Sequence, residues 1–237
     1  VHLEKTMAEG ETALIVGVGA GLSASLARRF ASEGIMVALA ARNTDKLGDL
    51  IAETGAKAYA CDATEPAAVE GLFNSVTKDL GEPDIVVYNA SNRVRGPITE
   101  IDPEAVLTAI KVTCYGGFLV AQRAAKQMVA RGNGAIFFTG ASAGIKGYPN
   151  SATFAMGKFG LRGLAQSMAR EPHPQNVHIA HFVIDGGIKQ PGDPRTDRGS
   201  DGLLDPDSIA NSYYNFWRQP RDSWAWELEL RPWTEKF

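Results

Sequence analysis

The feature that most constrains the fold of this chain is a regular alternation of short apolar runs with longer amphipathic stretches. Continuous apolar runs of roughly four to eight residues are typical of strands that are buried on both faces of a parallel sheet. The predicted strands cover residues 13–18, 35–40, 56–60, 84–88, 134–139, 177–184 and 224–230. The helical spacing predicts helices over residues 22–33, 44–53, 66–79, 103–130, 150–170 and 206–217. Because strands and helices alternate, the sequence predicts a three-layer, doubly wound α/β fold with a parallel sheet.

The length of the chain sets the expected number of domains. With 237 residues, 44% of them hydrophobic, the chain can bury one sizeable core. We therefore interpret residues 1–237 as a single domain. In this interpretation residues 1–10 form a loose leader, and residues 203–237 supply the last helix and the last strand.

One loop is longer than connections in compact domains usually are. Residues 189–202 are polar and contain Pro191, Gly192, Pro194 and Gly199. The loop follows the carboxyl end of a predicted strand, where ligands bind in sheets of this kind. We expect a mobile substrate loop here, and the alternative is a plain surface excursion.

Composition and charge argue against several classes of protein. The net charge is −3 and there is no long basic stretch, so nothing favours nucleic acid binding. Cys61 and Cys114 match no zinc spacing and are too few for a disulfide framework. No apolar run reaches the roughly 18 residues that a transmembrane helix needs, and the start of the chain does not resemble a signal peptide. We expect a cytoplasmic protein with no metal, nucleic acid or membrane partner.

The histidines show no metal-ligand spacing. His178 and His181 fall in one predicted strand at an odd separation, so they should face opposite sides of the sheet. We interpret both as structural residues.

A glycine-rich turn follows the first predicted strand and precedes the first predicted helix. Such glycines let the backbone approach a pyrophosphate, while the helix N-terminus offers free N–H groups and a positive dipole end. The spacing is G-x-G-x-G-x-S and not G-x-G-x-x-G, because Leu22 stands at the last position. The turn predicts a Rossmann-type dinucleotide site, and the alternative is a packing turn without a ligand. Its candidate binding residues are Gly17, Gly19, Ala20, Gly21 and Leu22.

The end of the second predicted strand bears on the choice of cofactor. NAD-binding proteins usually place an acidic residue there, whereas an arginine accommodates the 2′-phosphate of NADP. Ala41 offers no carboxylate, and the following Arg42 can contact a phosphate through two N–H groups. We therefore favour NADP(H), with Arg42 and Asn43 as binding residues. Asp45 lies close enough to keep NAD(H) possible.

Four short segments resemble the short-chain dehydrogenase/reductase family, in the expected order between about residues 11 and 190. Gly17 and Gly21 match the first two glycines of its T-G-x-x-x-G-x-G signature, while Val16 and Ser23 replace the threonine and the last glycine. The other segments are Cys61-Asp62-Ala63-Thr64 after the third strand, Asn89-Ala90-Ser91 for N-A-G, and Ile184-Asp185-Gly186-Gly187-Ile188 for N-P-G-x-I. The resemblance implies that Asp62, Ala63, Asn89, Ala90, Gly186 and Ile188 also contact the cofactor.

The catalytic positions implied by the resemblance depart from the family pattern. Phe154 and Lys158 fall on the Y-x-x-x-K motif, so the lysine is present and the tyrosine hydroxyl is absent. The family serine position falls on Ala141, with Ser142 adjacent, and the asparagine position falls on Thr113. The candidate catalytic set is therefore Lys158, Ser142, Phe154 and Thr113. In the family the tyrosine protonates the carbonyl oxygen, while the lysine lowers the tyrosine pKa and holds the nicotinamide ribose.

Three interpretations of the missing hydroxyl remain open. First, another group acts as the acid. Second, the substrate needs little acid help, as a conjugated C=C does. Third, the protein is a non-catalytic NADP(H)-binding sensor or partner subunit. The candidates for a replacement acid are Ser142, Tyr148, Ser151, Thr153 and Tyr115.

The favoured function is an NADPH-dependent oxidoreductase acting on a small carbonyl or enoyl molecule, and a lyase, isomerase or epimerase activity is a further alternative.

The resemblance also implies a homodimer or homotetramer built on the two long helices. The tail, with all four tryptophans, is interpreted either as a subunit contact or pocket cap, or as a last strand packed on its own domain.

Overall fold

One parallel sheet organises the residues that the structure describes. The computed structural model describes residues 10–190 and 201–236. Within them the strands are β1 (Thr12–Val16), β2 (Met36–Ala41), β3 (Lys57–Ala60), β4 (Ile85–Tyr88), β5 (Gly134–Thr139), β6 (Val177–Ile184) and β7 (Glu227–Leu230). Their order across the sheet is β3-β2-β1-β4-β5-β6-β7, and every pair is parallel. The strand order reverses between β1 and β4, which is where sheets of this type bind ligands.

Helices cover both faces of the sheet, so the predicted doubly wound α/β class is confirmed. They are α1 (Leu22–Ser32), α2 (Gly48–Thr54), α3 (Pro66–Leu80), α4 (Pro103–Ile110), α5 (Gly116–Arg131), α6 (Ala152–Met168) and α7 (Pro206–Arg218). Two of them begin at an Asp-Pro pair. Asp102 and Asp205 each accept hydrogen bonds from two backbone N–H groups of the first turn, and the proline follows at the first helical position.

The faces of the strands separate two apolar cores. Ala13 and Ile15 pack with α1, α2 and α7, whereas Leu14 and Val16 pack with α3, α5 and α6. This is the period of two that strand geometry imposes. Since both faces are covered, the central strands are continuous apolar runs, which is why the sequence identified them.

Several predicted boundaries differ from the structure. The predicted helix over 44–53 begins as a 3₁₀ turn, Asp45–Leu47, and the predicted helix over 103–130 contains a π-helical segment, Lys111–Tyr115. The last strand starts at Glu227, because Arg221–Ser223 form a 3₁₀ turn before it. The predicted leader falls mostly outside the described residues, as does most of the predicted substrate loop, namely residues 191–200.

The stretch Pro103–Arg131 corrects one expectation about membranes. It is long and apolar enough, by length and composition alone, to cross a bilayer. Core helices pass the same test, and this stretch contributes Val120, Ala121, Ala124 and Met128 to the core beneath the sheet. We therefore describe it as a crossover helix of the fold.

The two histidines of β6 face opposite sides of the sheet, as the sequence predicted. His178 stacks on Trp224, with ring centroids 4.6 Å apart, in the core beside α7. His181 faces the other side, where its Nδ1 lies 3.0 Å from Glu227 Oε2. Among residues 10–190 and 201–236, no group of three or more His, Cys, Asp or Glu side chains could hold a metal ion.

Burial on α1 gives a test of this packing. Leu26 is fully buried, whereas Ile98 is 77% exposed. Leu26→Ala is expected to lower the free energy of unfolding by about 2–5 kcal/mol, because it leaves a cavity in a closed core. Ile98→Ala is the matched control and should change it by less than about 0.5 kcal/mol. Urea denaturation of both variants measures the difference, and equal effects would contradict the assignment of α1 to the core.

Candidate active site

The glycine turn between β1 and α1 adopts a conformation that only glycine fits. Gly17 has φ +90°, and a Cβ on it would lie 2.3 Å from the backbone N of Ala90. The N–H groups of Gly17 and Val18 donate to Ala40 O, at 3.0 and 3.2 Å. Gly21 caps α1 without a side-chain hydrogen bond, so the first N–H groups of the helix are available to a ligand.

A side-chain clamp holds this turn against the end of β4. The Asn89 amide donates to Ser23 Oγ at 2.6 Å, and the Ser23 hydroxyl donates to Gly17 O at 3.0 Å. The sequence identified Ser23 only as a replacement for a glycine. The serine hydroxyl in fact links the turn to the strand beside it, at the point where the strand order reverses.

A cavity of about 590 Å³ lies at the carboxyl ends of β1, β2 and β3. It is lined by the predicted cofactor residues Arg42, Asn43, Asp62, Ala63, Asn89 and Ala90, and also by Lys46. Lys46 was not predicted from the sequence, although a second basic residue shortly after Arg42 is a signal that could have found it. Asp45, the residue that kept NAD in consideration, does not line this cavity.

Asp62 is held in one orientation by its neighbour in sequence. Its Oδ1 accepts from the Thr64 N–H at 2.9 Å and from the Thr64 hydroxyl at 2.8 Å. These hydrogen bonds lower the pKa of Asp62, with a smaller contribution from the charge of Arg42. The carboxylate is therefore ionised and acts as a hydrogen-bond acceptor in the cavity.

A larger cavity, of about 930 Å³, adjoins the first and shares Gly17, Gly19 and Asn89 with it. It runs from the glycine turn to α6 and is also lined by Ala20, Gly21, Leu22, Ser142, Phe154, Lys158, Gly186 and Ile188. All the predicted cofactor residues thus line one cavity or the other.

Lys158 brings a buried ammonium group to the inner wall of this larger cavity. Its Nζ donates to Thr139 O at 2.7 Å, at the end of β5. Burial lowers the pKa of Lys158 to about 8, because a charged amine is disfavoured away from water. The Lys158 ammonium is therefore easier to deprotonate than that of a solvated lysine.

A hydrogen-bonded chain lies close to Lys158. His181 Nδ1 is 3.0 Å from Glu227 Oε2, and Glu227 accepts from Arg162 Nε and Nη2 at 2.7 and 2.8 Å. Burial lowers the pKa of His181 to about 4, with a smaller lowering from the charges of Lys158 and Arg162. The imidazole is therefore neutral and donates its Nδ1–H to the Glu227 carboxylate. His181 thus places no positive charge next to Lys158.

Phe154 presents its ring to the cavity between two cations. The Lys158 Nζ lies 5.6 Å from the ring centroid, and the Arg93 guanidinium carbon lies 4.8 Å from it. Both are cation–π distances. The benzyl ring itself carries no group that can donate a proton.

The structure separates the five candidate hydroxyl groups by whether they line the cavity. Ser142, Tyr148 and Ser151 line the cavity, whereas Thr153 and Tyr115 do not. The Ser142 hydroxyl makes no hydrogen bond to any described residue, so it can bind a ligand oxygen.

Thr113 does not line the larger cavity, in contrast to its place in the predicted catalytic set. Its Oγ1 accepts from the Asn92 N–H at 3.0 Å and donates to Asn92 O at 3.3 Å. The side chain also packs where a Cβ on Gly157 would lie, 2.8 Å from Thr113 Cβ. Thr113 thus joins the π-helical segment to the chain after β4, and we do not assign it to the chemistry.

The C-terminal segment forms part of the cavity wall. Gly186 has φ +150°, and a Cβ on it would lie 2.7 Å from Pro232 Cδ. The Asp185 carboxylate pairs with Arg231 at 2.9 Å, and Glu235 lines the cavity. The tail therefore has features of both interpretations. Its strand β7 extends the sheet of its own domain, and residues after β7 lie beside the cavity.

The fold and the two adjoining cavities define a Rossmann-type domain with a cleft at the reversal point of its sheet. The sequence profile for short chain dehydrogenases matches residues 11–192. The 3-oxoacyl-[acyl-carrier-protein] reductase MabA of Mycobacterium tuberculosis is 30% identical over 79% of this chain and 74% of its own length. The chain belongs to the short-chain dehydrogenase family, a family of oxidoreductases.

Solved structures of short-chain dehydrogenases and oxidoreductases are similar to this chain over almost its whole length. A short-chain dehydrogenase from Rhodopseudomonas palustris is 32% identical with a TM-score of 0.84, covering 95% of this chain and 100% of that one. A metagenomic short-chain oxidoreductase in complex with NADP is 26% identical with a TM-score of 0.83, covering 94% and 98%.

Gly17→Ala tests the geometry of the turn. Its Cβ would collide with Ala90, and its positive φ strains any other residue, so the free energy of unfolding should fall by at least about 1–3 kcal/mol. Gly163, inside α6, is the matched control, because nothing lies within 4 Å of an added Cβ. Gly163→Ala should stabilise the protein by up to about 1 kcal/mol. Urea denaturation measures both changes, and a neutral Gly17→Ala would refute the turn described here.

Proposed function

We propose that this protein uses NADP(H) to transfer hydride to or from a small carbonyl or enoyl substrate. The observation that supports this most is one continuous cleft, which joins the open N-terminus of α1 to the buried Lys158 ammonium. The family of the chain adds support, and MabA, by its name, reduces a carbonyl compound.

The residues of the cleft fit NADP(H). The pyrophosphate would bind to the free N–H groups at the start of α1, where Gly21 caps the helix without a side-chain hydrogen bond. Arg42 and Lys46 supply two cations for the 2′-phosphate, and Asp62 accepts hydrogen bonds from the adenine side. Lys158 would hold the nicotinamide ribose, and Gly186 and Ile188, which line the same cavity, would contact the cofactor. When bound, NADPH supplies the hydride.

Lys158 replaces the absent tyrosine as the proton donor. It combines a cavity-lining position with a charge that has no carboxylate partner in the described part of the chain. In the direction of reduction its ammonium gives a proton to the substrate oxygen, while the Ser142 hydroxyl hydrogen-bonds to the same oxygen. The neutral amine that results is the form that burial favours, and solvent returns its proton.

The same proposal includes a homodimer. Large apolar side chains are exposed along the two long helical stretches, where soluble monomers usually place polar ones. They are Leu107, Tyr115, Phe118, Met156 and Phe159, each between 40% and 55% exposed. A twofold contact across these helices would cover them, as the family resemblance implies.

Arg42→Ala tests the choice of cofactor. Loss of a charged hydrogen bond to the 2′-phosphate should weaken NADPH binding about tenfold and leave NADH binding unchanged. Fluorescence titration of both nucleotides measures this. Arg28→Ala is the control, because Arg28 is an arginine on α1 that pairs with Glu53 away from both cavities. Equal weakening of NADPH and NADH by Arg42→Ala would refute the 2′-phosphate role.

Lys158→Arg tests the proton donor. Arginine keeps the charge but does not release a proton, so turnover in reduction should fall by about 10²–10⁴ while NADPH binding changes little. In the unmodified protein the reduction rate should be independent of pH below about 8 and should fall above it, since the ammonium is the active form. Steady-state kinetics from pH 6 to 10 give both results.

The control for this variant is Lys78→Arg, on the exposed side of α3. Retained activity in Lys158→Arg would contradict the role of Lys158. NADPH binding without turnover across a carbonyl and enoyl panel would contradict the proposed function and favour the non-catalytic NADP(H)-binding alternative.

A further inference from the structure

Two arginines line the larger cavity without a carboxylate partner. Arg93 and Arg95 lie in the segment that follows β4. Neither forms an ion pair with any residue in 10–190 or 201–236. Seven other arginines each form an ion pair with a carboxylate, namely Arg28, Arg29, Arg123, Arg131, Arg162, Arg218 and Arg231. Among the described residues, Arg93 and Arg95 thus bring two positive charges to the larger cavity without a counterion.

Arg93 is held close to the reacting end of the cavity by the ring of Phe154. Its guanidinium carbon lies 4.8 Å from the ring centroid, and Lys158 Nζ lies 5.6 Å from the same centroid. The two cations therefore lie near one benzyl ring and are about 10 Å apart at most. A molecule that reaches from one to the other is only a few bonds long.

Arg95 adds a second positive charge to the first. Partial burial and the charge of Arg95 both lower the pKa of Arg93, which means that the two guanidinium groups repel each other. An anion bound between them would remove this repulsion and would gain charge-assisted hydrogen bonds.

The acidic groups of the cavity lie on another part of its wall. The Asp185 carboxylate is already paired with Arg231 at 2.9 Å, and Glu235 belongs to the C-terminal segment that packs beside Gly186. Neither residue is an ion-pair partner of Arg93 or Arg95. Counting only the described residues, the charged groups near Phe154 are therefore positive.

We propose that Arg93 and Arg95 bind an anionic group of the substrate, so that the enzyme acts on small organic acids whose carbonyl or enoyl group lies a few bonds from a carboxylate or phosphate. Guanidinium groups match the planar oxygen pairs of both anions. This inference rests on the proposed function for the reaction, but the binding of the anion does not require turnover. Phe154 has a use here, because its unsubstituted ring is the surface on which Arg93 rests.

Calorimetric binding to the full chain tests the anionic subsite directly. NADP⁺ is kept saturating so that it occupies the phosphate sites of the cofactor, and benzoate, phenyl phosphate and benzamide are titrated. Benzoate or phenyl phosphate should bind at least about tenfold more tightly than benzamide, and the tighter of the two identifies the anion. Arg93→Gln with Arg95→Gln should abolish that preference, whereas Arg170→Gln, an exposed arginine on another surface, should not.

Two results would overturn the subsite: neither anion binds more tightly than benzamide, or the double glutamine variant keeps the preference. Both arginines are exposed, so their replacement should leave the thermal unfolding temperature within a few degrees of the original.

Turnover separates this inference from the proposed function. With NADPH, 4-carboxybenzaldehyde should be reduced with a kcat/KM at least about tenfold above that of its neutral amide, 4-carbamoylbenzaldehyde. Equal kcat/KM values would count against the subsite alone. No reduction of either aldehyde, together with arginine-dependent benzoate binding, would count against the proposed reaction and leave the anionic subsite standing.

Discussion

The rest of the site depends on one interaction, the hydrogen bond from the buried Lys158 ammonium to Thr139 O. It joins α6 to the end of β5 and places a buried cation in the wall of the cleft. Its formation needs close approach of the backbones. A Cβ at Gly144 would lie 3.1 Å from Lys158 O, and a Cβ at Gly157 would lie 2.8 Å from Thr113 Cβ. Gly144 and Gly157 thus allow α6 to pack closely at Lys158, and the burial of Lys158 lowers its pKa.

The fold places the other half of the site by a different constraint. The strand order reverses between β1 and β4, so the helices that follow them lie on opposite faces and leave a crevice. The backbone of Gly17 packs closely against Ala90 at that crevice. The hydrogen bonds from Asn89 to Ser23 and from Ser23 to Gly17 O hold the glycine turn in place. In the proposed function, a nucleotide held by this turn would extend toward Lys158, and the Arg93 side of the cavity would remain for a substrate.

Much of this architecture was predictable from the sequence. The continuous apolar strands and the Asp-Pro helix starts are local patterns, and they gave the α/β class and most helix starts to within two residues. The glycine turn, Arg42 and Lys158 were identified because each occupies a fixed position relative to a strand or motif. All of them line the two cavities, which agrees with, but does not test, their roles as binding residues.

The remaining features depend on contacts between segments distant in sequence. The π-helical turn at Lys111–Tyr115 coincides with the Thr113 hydroxyl bonding to Asn92, which no periodicity reveals. The contact of the Arg93 guanidinium with the ring of Phe154 joins residues far apart in the sequence, so no local pattern predicts it. Likewise, the neutral state of His181 follows from burial and from Glu227 on the neighbouring strand.

The central claim is that Lys158 exchanges its proton near pH 8, and its own titration tests this most directly. NMR of protein labelled with ¹³C at the lysine Cε would follow each ammonium from pH 6 to 11, and the Lys158 signal is the one that disappears in Lys158→Met. We expect that signal to titrate at about pH 8, because burial lowers its pKa. A titration at about 10.4, the value of a solvated lysine, would contradict the claim.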